Sequence, residues 1–306
     1  MAVNQETLVT AANYNTLQNR VSRILGSGNG QEGFGQTLNS APVGAESIVY
    51  ASDMNLLLED INRVSIHQTG SPSDLNPVTS SSKIRANEDT PADNNGFNQY
   101  ISAVDILEAN GNVVDGTQVT LETLASDSRF APWNGQLSHS FTLTFDDADH
   151  RRNFFNAGGQ IYISAQLETA SGSKALDWKQ MLTNMGVIQF KANTTSKTGI
   201  GGTLFPNGDG PFGNFSLTAS SVTLFERTGQ QASYSENRYY IFAKEVSTRA
   251  IQFTIQFQDQ DLGDPNIDEQ VTGTLVSKIQ QIRPTGTFVS VDSPSYSAQS
   301  SLELGA

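Results

Sequence analysis

Apolar and polar residues alternate with two different periods along this chain. Near the start the spacing is helical, and the pattern there is written twice, forty residues apart. Val-Thr-Ala-Ala-Asn-Tyr-Asn-Thr-Leu (9–17) matches Val-Tyr-Ala-Ser-Asp-Met-Asn-Leu-Leu (49–57), and downstream Val21 answers to Ile61, Arg23 to Arg63 and Ile24 to Val64. Tyr14, Leu17, Val21 and Ile24 fall at steps of three and four, and Met54, Leu57, Ile61 and Val64 repeat those steps. Such spacing gathers each set on one face of an α-helix. Helices of about four turns are marginal alone in water, so both stripes must be buried against something. The first helix is expected to start between Thr10 and Asn13 and to stop at Gly26. The second should run from Ser52 or Asp53 to near Gln68, with Thr69-Gly70 closing it. These eight apolar residues form the expected assembly interface, covered by a partner protein or by symmetry mates.

The glycine-dense segment between the helices, through Gly33-Phe34-Gly35-Gln36, lacks a Gly-Lys-Ser/Thr ending and a preceding strand, so it reads as a joining loop and not a phosphate cradle. Residues 71–98 carry Pro72, Pro77 and Pro91 among Ser, Asn and Asp and read as a linker. From about Tyr100 the period becomes two. Ser140 to Phe145, Gln160 to Ala165, Phe215 to Phe225, Tyr239 to Ala243, Ile251 to Phe257 and Gln270 to Ile282 place Phe and Ile on one side and Thr, Gln and Ser on the other. That is the pattern of half-buried antiparallel strands. Short helices are expected at 147–156 and 175–185. The predicted fold class is α+β, mainly β: a two-helix module over 1–70, a linker over 71–98, an antiparallel β-sandwich with two short helices over 99–290, and an extended C-terminal tail over 291–306.

Composition narrows the function classes. A formal charge of −13, with Arg151-Arg152 the longest basic run, argues against a nucleic-acid surface. The absence of cysteine excludes disulfides, thiolate metal sites and a cysteine nucleophile. No apolar run approaches a membrane span and the first residues do not resemble a signal peptide, so synthesis and folding in a cytoplasm are expected, with no membrane partner. No cofactor is expected. His67, His139 and His150 share no metal-ligand spacing, and Asp147 and Asp149 beside His150 are read as helix caps. The densest acidic cluster, with Asp259, Asp261, Asp264 and Asp268, is the candidate cation site. It fails the EF-hand register, because its sixth position is Asp264 and its twelfth Gln270. Phe205, Phe212, Phe215, Tyr234, Tyr239 and Tyr240 are read mostly as core. The loop 199–214, with Gly201-Gly202 and Pro206-Asn207-Gly208, is a candidate contact surface. Glu226, Glu236 and Glu245 lie in the β-region without the context that would mark a glycosidase pair.

The twin segments, Gly33-Phe34-Gly35-Gln36, the closing His67-Gln68-Thr69-Gly70, and His150-Arg-Arg-Asn-Phe-Phe-Asn-Ala-Gly-Gly159 with its following strand together resemble virion structural proteins of tailed bacteriophages. The likeness is to structural proteins of phages that infect cyanobacteria and other marine bacteria. It spans residues 9–70 and 140–167, about a third of the chain. It implies a non-enzymatic tail, neck or fibre component of the virion, with other virion proteins as partners; assembly in the host cytoplasm and a trimeric or hexameric homo-oligomer built through the N-terminal helices are expected with it. The alternative is an adhesin whose β-domain binds a host surface glycan.

Overall fold

A computed structural model describes residues 9–79, 85–87, 94–208, 210–260 and 269–302. In chain order it contains helices α1 (Ala11–Leu25), α2 (Ala51–Thr69) and α3 (Phe97–Asn110), then strands β1 (Val119–Arg129) and β2 (Gly135–Thr144) and helix α4 (Ala148–Asn156). Strand β3 (Gln160–Glu168) precedes helix α5 (Ser173–Met185). After it come β4 (Ile188–Phe190), β5 (Thr195–Lys197), β6 (Thr203–Leu204), β7 (Pro206–Asn207) and β8 (Gly210–Pro211). The series ends with β9 (Val222–Thr228), β10 (Arg238–Ser247), β11 (Ala250–Asp259), β12 (Thr274–Pro284) and β13 (Ser295–Ser300). The fold is α+β with strand exceeding helix, 33% against 29%. It divides into two compact units: residues 1–120 with 152–158 and 284–292, and residues 121–151 with 159–283 and 293–306.

In the first unit α1, α2 and α3 pack on one another pairwise. Thr10 caps α1, its hydroxyl accepting from the Asn13 amide while the Asn13 side chain accepts from the Thr10 amide. Gly70, with φ +77°, ends α2 in the left-handed conformation that L side chains resist. Helix α3 was not expected. Its buried Phe97, Tyr100, Ile101, Val104 and Leu107 keep a helical period through a stretch that the polar linker and the sandwich domain divided between them. The expected domain start at residue 99 therefore falls inside a helix of the first unit. Within 71–98, Leu75, Val78 and Ala86 are buried, so those parts of the expected linker are packed chain.

The second unit is a sandwich of two sheets, ordered β1-β12-β3-β4-β5 and β13-β2-β11-β10-β9-β6, with β7-β8 as a separate hairpin. β2 and β11 pair without a break from Gly135↔Asp259 to Thr144↔Ala250. Along them Leu137, Phe141 and Leu143 on one strand and Ile251, Phe253, Ile255 and Phe257 on the other turn inward at alternate positions. The facing sheet answers with Ile161, Ile163, Leu167, Leu275 and Ile279. Phe190 meets Phe253 edge-on at 5.2 Å between ring centres, and His139 bonds Ser277 across the interior at 3.1 Å. Helix α5 lies on β3 and sends Trp178 against Trp133 and Phe257.

Three expectations about this unit need correction. Residues 214–216 form a short 3-10 turn, so the run expected from Phe215 becomes a strand only at Val222. Strand β12 begins at Thr274, not Gln270. The expected tail contains β13, which pairs with β2 from Ser295↔Thr144 to Ser300↔His139. Serine-, glutamine- and proline-rich composition suggested an extended arm; part of it is an edge strand, which buries little and needs few apolar residues.

Both tryptophans, Trp133 and Trp178, are buried in the sandwich, so their fluorescence reports its unfolding. Phe253→Ala removes a ring with no solvent exposure. It is expected to destabilise this transition by ~3–5 kcal/mol in urea denaturation followed by tryptophan emission.

Candidate functional site: the duplicated helix and strap module

The repeat read from the helices continues into the chain that follows each of them. The Asn15 amide donates to the Val43 carbonyl at 2.8 Å and accepts from the Val43 N–H at 2.8 Å. At the matching position of the second copy, Asn55 donates to the Val78 carbonyl at 3.0 Å and accepts from its N–H at 2.9 Å. A carboxamide offers one donor and one acceptor side by side, so it can pair with a single peptide unit much as a neighbouring strand would. In both copies the hooked valine follows a proline, Pro42 or Pro77. Proline has no N–H of its own and fixes its φ, which suits an extended strap.

The residue before each proline is held as well. The Tyr14 hydroxyl donates to the Ala41 carbonyl and the Tyr100 hydroxyl to that of Asn76, each at 3.2 Å. Both phenols are buried, and burial with the nearby Asp53 and Asp60 raises Tyr14 to about 12. The N-terminal turns also match. The Tyr50 amide donates to the Asp53 carboxylate at 2.8 Å, as the Thr10 amide does to Asn13.

This part of the repeat escaped the sequence reading because the hooks span different distances, 28 residues in the first copy and 23 in the second. The only available signal was a Pro-Val pair after each helix. The glycine-dense joining segment lies within the longer span. It doubles back on the end of α1, where the amides of Phe34, Gln36 and Gly35 bond the carbonyls of Ile24, Leu25 and Gly26. Gly35, at φ +75°, approaches so closely that an added Cβ would collide with the Asn153 side-chain amide.

The first strap is further tied by Asp60, a carboxylate with no exposed surface. It accepts from the amides of Asn39 and Ser40, from the Ser40 hydroxyl at 2.7 Å and from Arg63 at 2.9 Å. The equivalent residue of the first copy, Arg20, instead reaches Asp105 and Glu108 on α3. His67 closes the module. Its ring packs on Phe34 at 5.0 Å, and its Nε2–H donates to the Ala157 carbonyl at 2.9 Å. The Nδ1 atom is buried without a hydrogen-bond partner. Burial drives the His67 pKa down to about 4.

All eight expected interface residues, Tyr14, Leu17, Val21, Ile24, Met54, Leu57, Ile61 and Val64, are at most 9% exposed. They meet one another and α3 inside the chain, so the stripes are the core of the module and not its docking surface. The sequence reading correctly required a cover for them; α3 and the straps supply it. The exposed apolar residues near the start of α2 are Ile48, Tyr50 and Leu56, at 70%, 62% and 38%.

The other candidates lie apart from this module. Asp259 is buried in a 3.2 Å ion pair with Lys174, while Asp261, Asp264 and Asp268 lie outside the described residues. Among the described residues no group of three or more His, Asp or Glu side chains is placed to hold a metal ion. His139 is buried in the sandwich, and its desolvation lowers its pKa. Asp147 accepts from the His150 amide at 2.6 Å, capping α4 as expected. In the motif that follows, Arg151 is buried against Asn214 and Glu245, and Arg152 donates to the Ser27 carbonyl at 2.6 Å. Of the aromatics, Tyr234 and Tyr239 are core, whereas Phe205, Phe212, Phe215 and Tyr240 are half-buried. The loop over 199–214 includes the β7-β8 hairpin and carries Ile200, 72% exposed.

Clefts open on the helical unit among the described residues. One, of about 270 Å³, is walled by Phe34, Leu107 and Asn156; its carboxylates, Glu32 and Glu108, are each held by an arginine, Arg23 and Arg20. Another, of about 380 Å³, lies between α2 and α3 with Ile61, Leu75, Ala103 and Ile106 on its walls. No helix of the described residues is long and apolar enough to cross a membrane. Comparison with known protein families, characterised proteins and solved structures finds no match to this chain.

Replacing Asn55 by Ala strands one N–H and one C=O of Val78 and is expected to cost ~1–3 kcal/mol. Hydrogen exchange should show it first as faster exchange at Val78, with α2 retained. For His67 the folded pKa lies below the ordinary 6.5, so its contribution is complete above pH 6.5 and is lost as the pH falls towards 4. The loss amounts to about 3 kcal/mol. Circular dichroism of helix unfolding should show this acid sensitivity, and His67→Gln should flatten it.

Proposed function

We propose that this chain is a non-enzymatic structural component of a tailed-phage virion, in the tail, neck or a fibre. The observation that carries the reading is the duplicated helix and strap module. It is a construction of side chains tying backbone segments to one another, and its residues coincide with the twin segments that resemble virion proteins. The buried tyrosines, Asp60 and His67 are all engaged in holding chain to chain. The rigid sandwich that accompanies the module suits a protein whose task is to hold a shape.

Attachment in this reading uses the outside of the module, since its apolar stripes are internal. Ile48, Tyr50 and Leu56, near the start of α2, are exposed apolar residues that a neighbouring virion protein could cover. The chain would be made in the host cytoplasm and carried in the particle.

Mass spectrometry of density-purified particles of the phage that encodes the chain tests this directly. The protein should be present at constant stoichiometry to the other virion proteins through successive purifications. Abundance in infected-cell lysate with loss from the particles would refute the assignment.

A further inference from the structure

Four strands end the two sheets of the sandwich among the described residues: β1 and β5 on one, β13 and β6 on the other. An open edge offers unpaired backbone groups to any passing strand, and folded proteins blunt such edges by brevity or charge. Three of these four obey that rule. β6 has two residues, β5 has three and ends on Lys197, and β1 carries Glu122, Asp127 and Arg129. β13 does not. It is Ser-Tyr-Ser-Ala-Gln-Ser, six residues with no charge and no proline, five of them exposed. Its inner side is paired to β2 in unbroken register. In an antiparallel ladder alternate residues turn their N–H and C=O groups away from the partner, here towards the open side.

We propose that the outer edge of β13 pairs antiparallel with β13 of a second copy of this chain, making one continuous sheet across a two-fold axis. Charge favours this occupant. Two molecules of formal charge −13 repel each other overall. This strand is a place where they can approach without setting like charges opposite one another. The sequence also suits its own reverse. Centred on Ala298, the pairing sets Ser297 opposite Gln299 and Tyr296 opposite Ser300, with the small alanine at the axis. That register keeps even-numbered residues on one face and odd-numbered residues on the other, as a continuous pleated sheet requires. Tyr296 stacks on Phe141 at 5.5 Å yet stays 51% exposed, and the second copy would cover it. The inference stands on the sheet edges alone and is independent of the virion assignment.

Sedimentation equilibrium of the full chain, over a wide range of concentration, should show a dimer. Ser297→Asp with Gln299→Asp places Asp opposite Asp twice and should weaken the dimer at least about tenfold in Kd. Ser297→Lys with Gln299→Asp places Lys opposite Asp twice and should keep it. Both variants alter exposed edge positions, and tryptophan fluorescence verifies the fold of each. A wild-type chain that stays monomeric, an assembly indifferent to the double-Asp variant, or equal loss in both variants would overturn the proposal.

Discussion

The helical unit depends on one kind of contact, a short polar side chain that pairs with a single peptide group of a distant segment. Asn15 and Asn55 make it in duplicate, and Asp60 makes a charged version with the amides of Asn39 and Ser40. Each such contact orders an extended strap that has no strand beside it. Buried backbone groups must find partners, and a strap without a sheet takes many of them from side chains. The apolar stripes of α1 and α2 supply the burial that holds the helices together; the hooks decide where the chain between them runs. Without the hooks the valine of each Pro-Val segment would lose both of its backbone partners, and the stripes would lose part of their cover.

The two copies agree and differ in informative places. The hook asparagines, the side chains that accept at the helix N-termini and the apolar steps are shared. The position occupied by Arg20 in one and Asp60 in the other is not. Arg20 faces the carboxylates of α3, whereas Asp60 faces the amides of a strap. Two helices of the same pattern therefore occupy different surroundings, and the charged residue is where each has been fitted to its own. A tight assembly of helices that share one apolar pattern needs such differences, because a strictly repeated sequence would let α1 and α2 exchange places.

The fold class, the two repeated helices, both short helices that follow β2 and β3 and most of the strands were legible from periodicity, because each has a long face that must be buried. Helix α3 was equally periodic but followed a segment rich in Pro, Asn and Asp, and composition outweighed period there. Strand β13 gave no apolar signal, since an exposed edge strand has little to bury. The candidate site was half legible. Its eight apolar residues were found, but their role was misjudged, because a stripe calls for a cover without saying whether the cover is the same chain. The hooks were not legible at all: an asparagine that pairs with a peptide 28 residues away looks like any other polar residue on a helix.

Strand β13 also sets a condition on how the sandwich is made. It adds to β2 residues more than a hundred and fifty positions earlier, as in the Ser138–Ser301 contact, separated by 163 positions. Contacts of such separation form late, because the loop they close must be ordered before they repay it. A nascent chain can complete each helical hook within about thirty residues of its helix, but the sheet of β2 must wait with that margin bare until some hundred and fifty further residues have been made. During that interval the exposed flank of β2 is a point at which misassociation begins. The uncharged β13 arrives as a late patch over it.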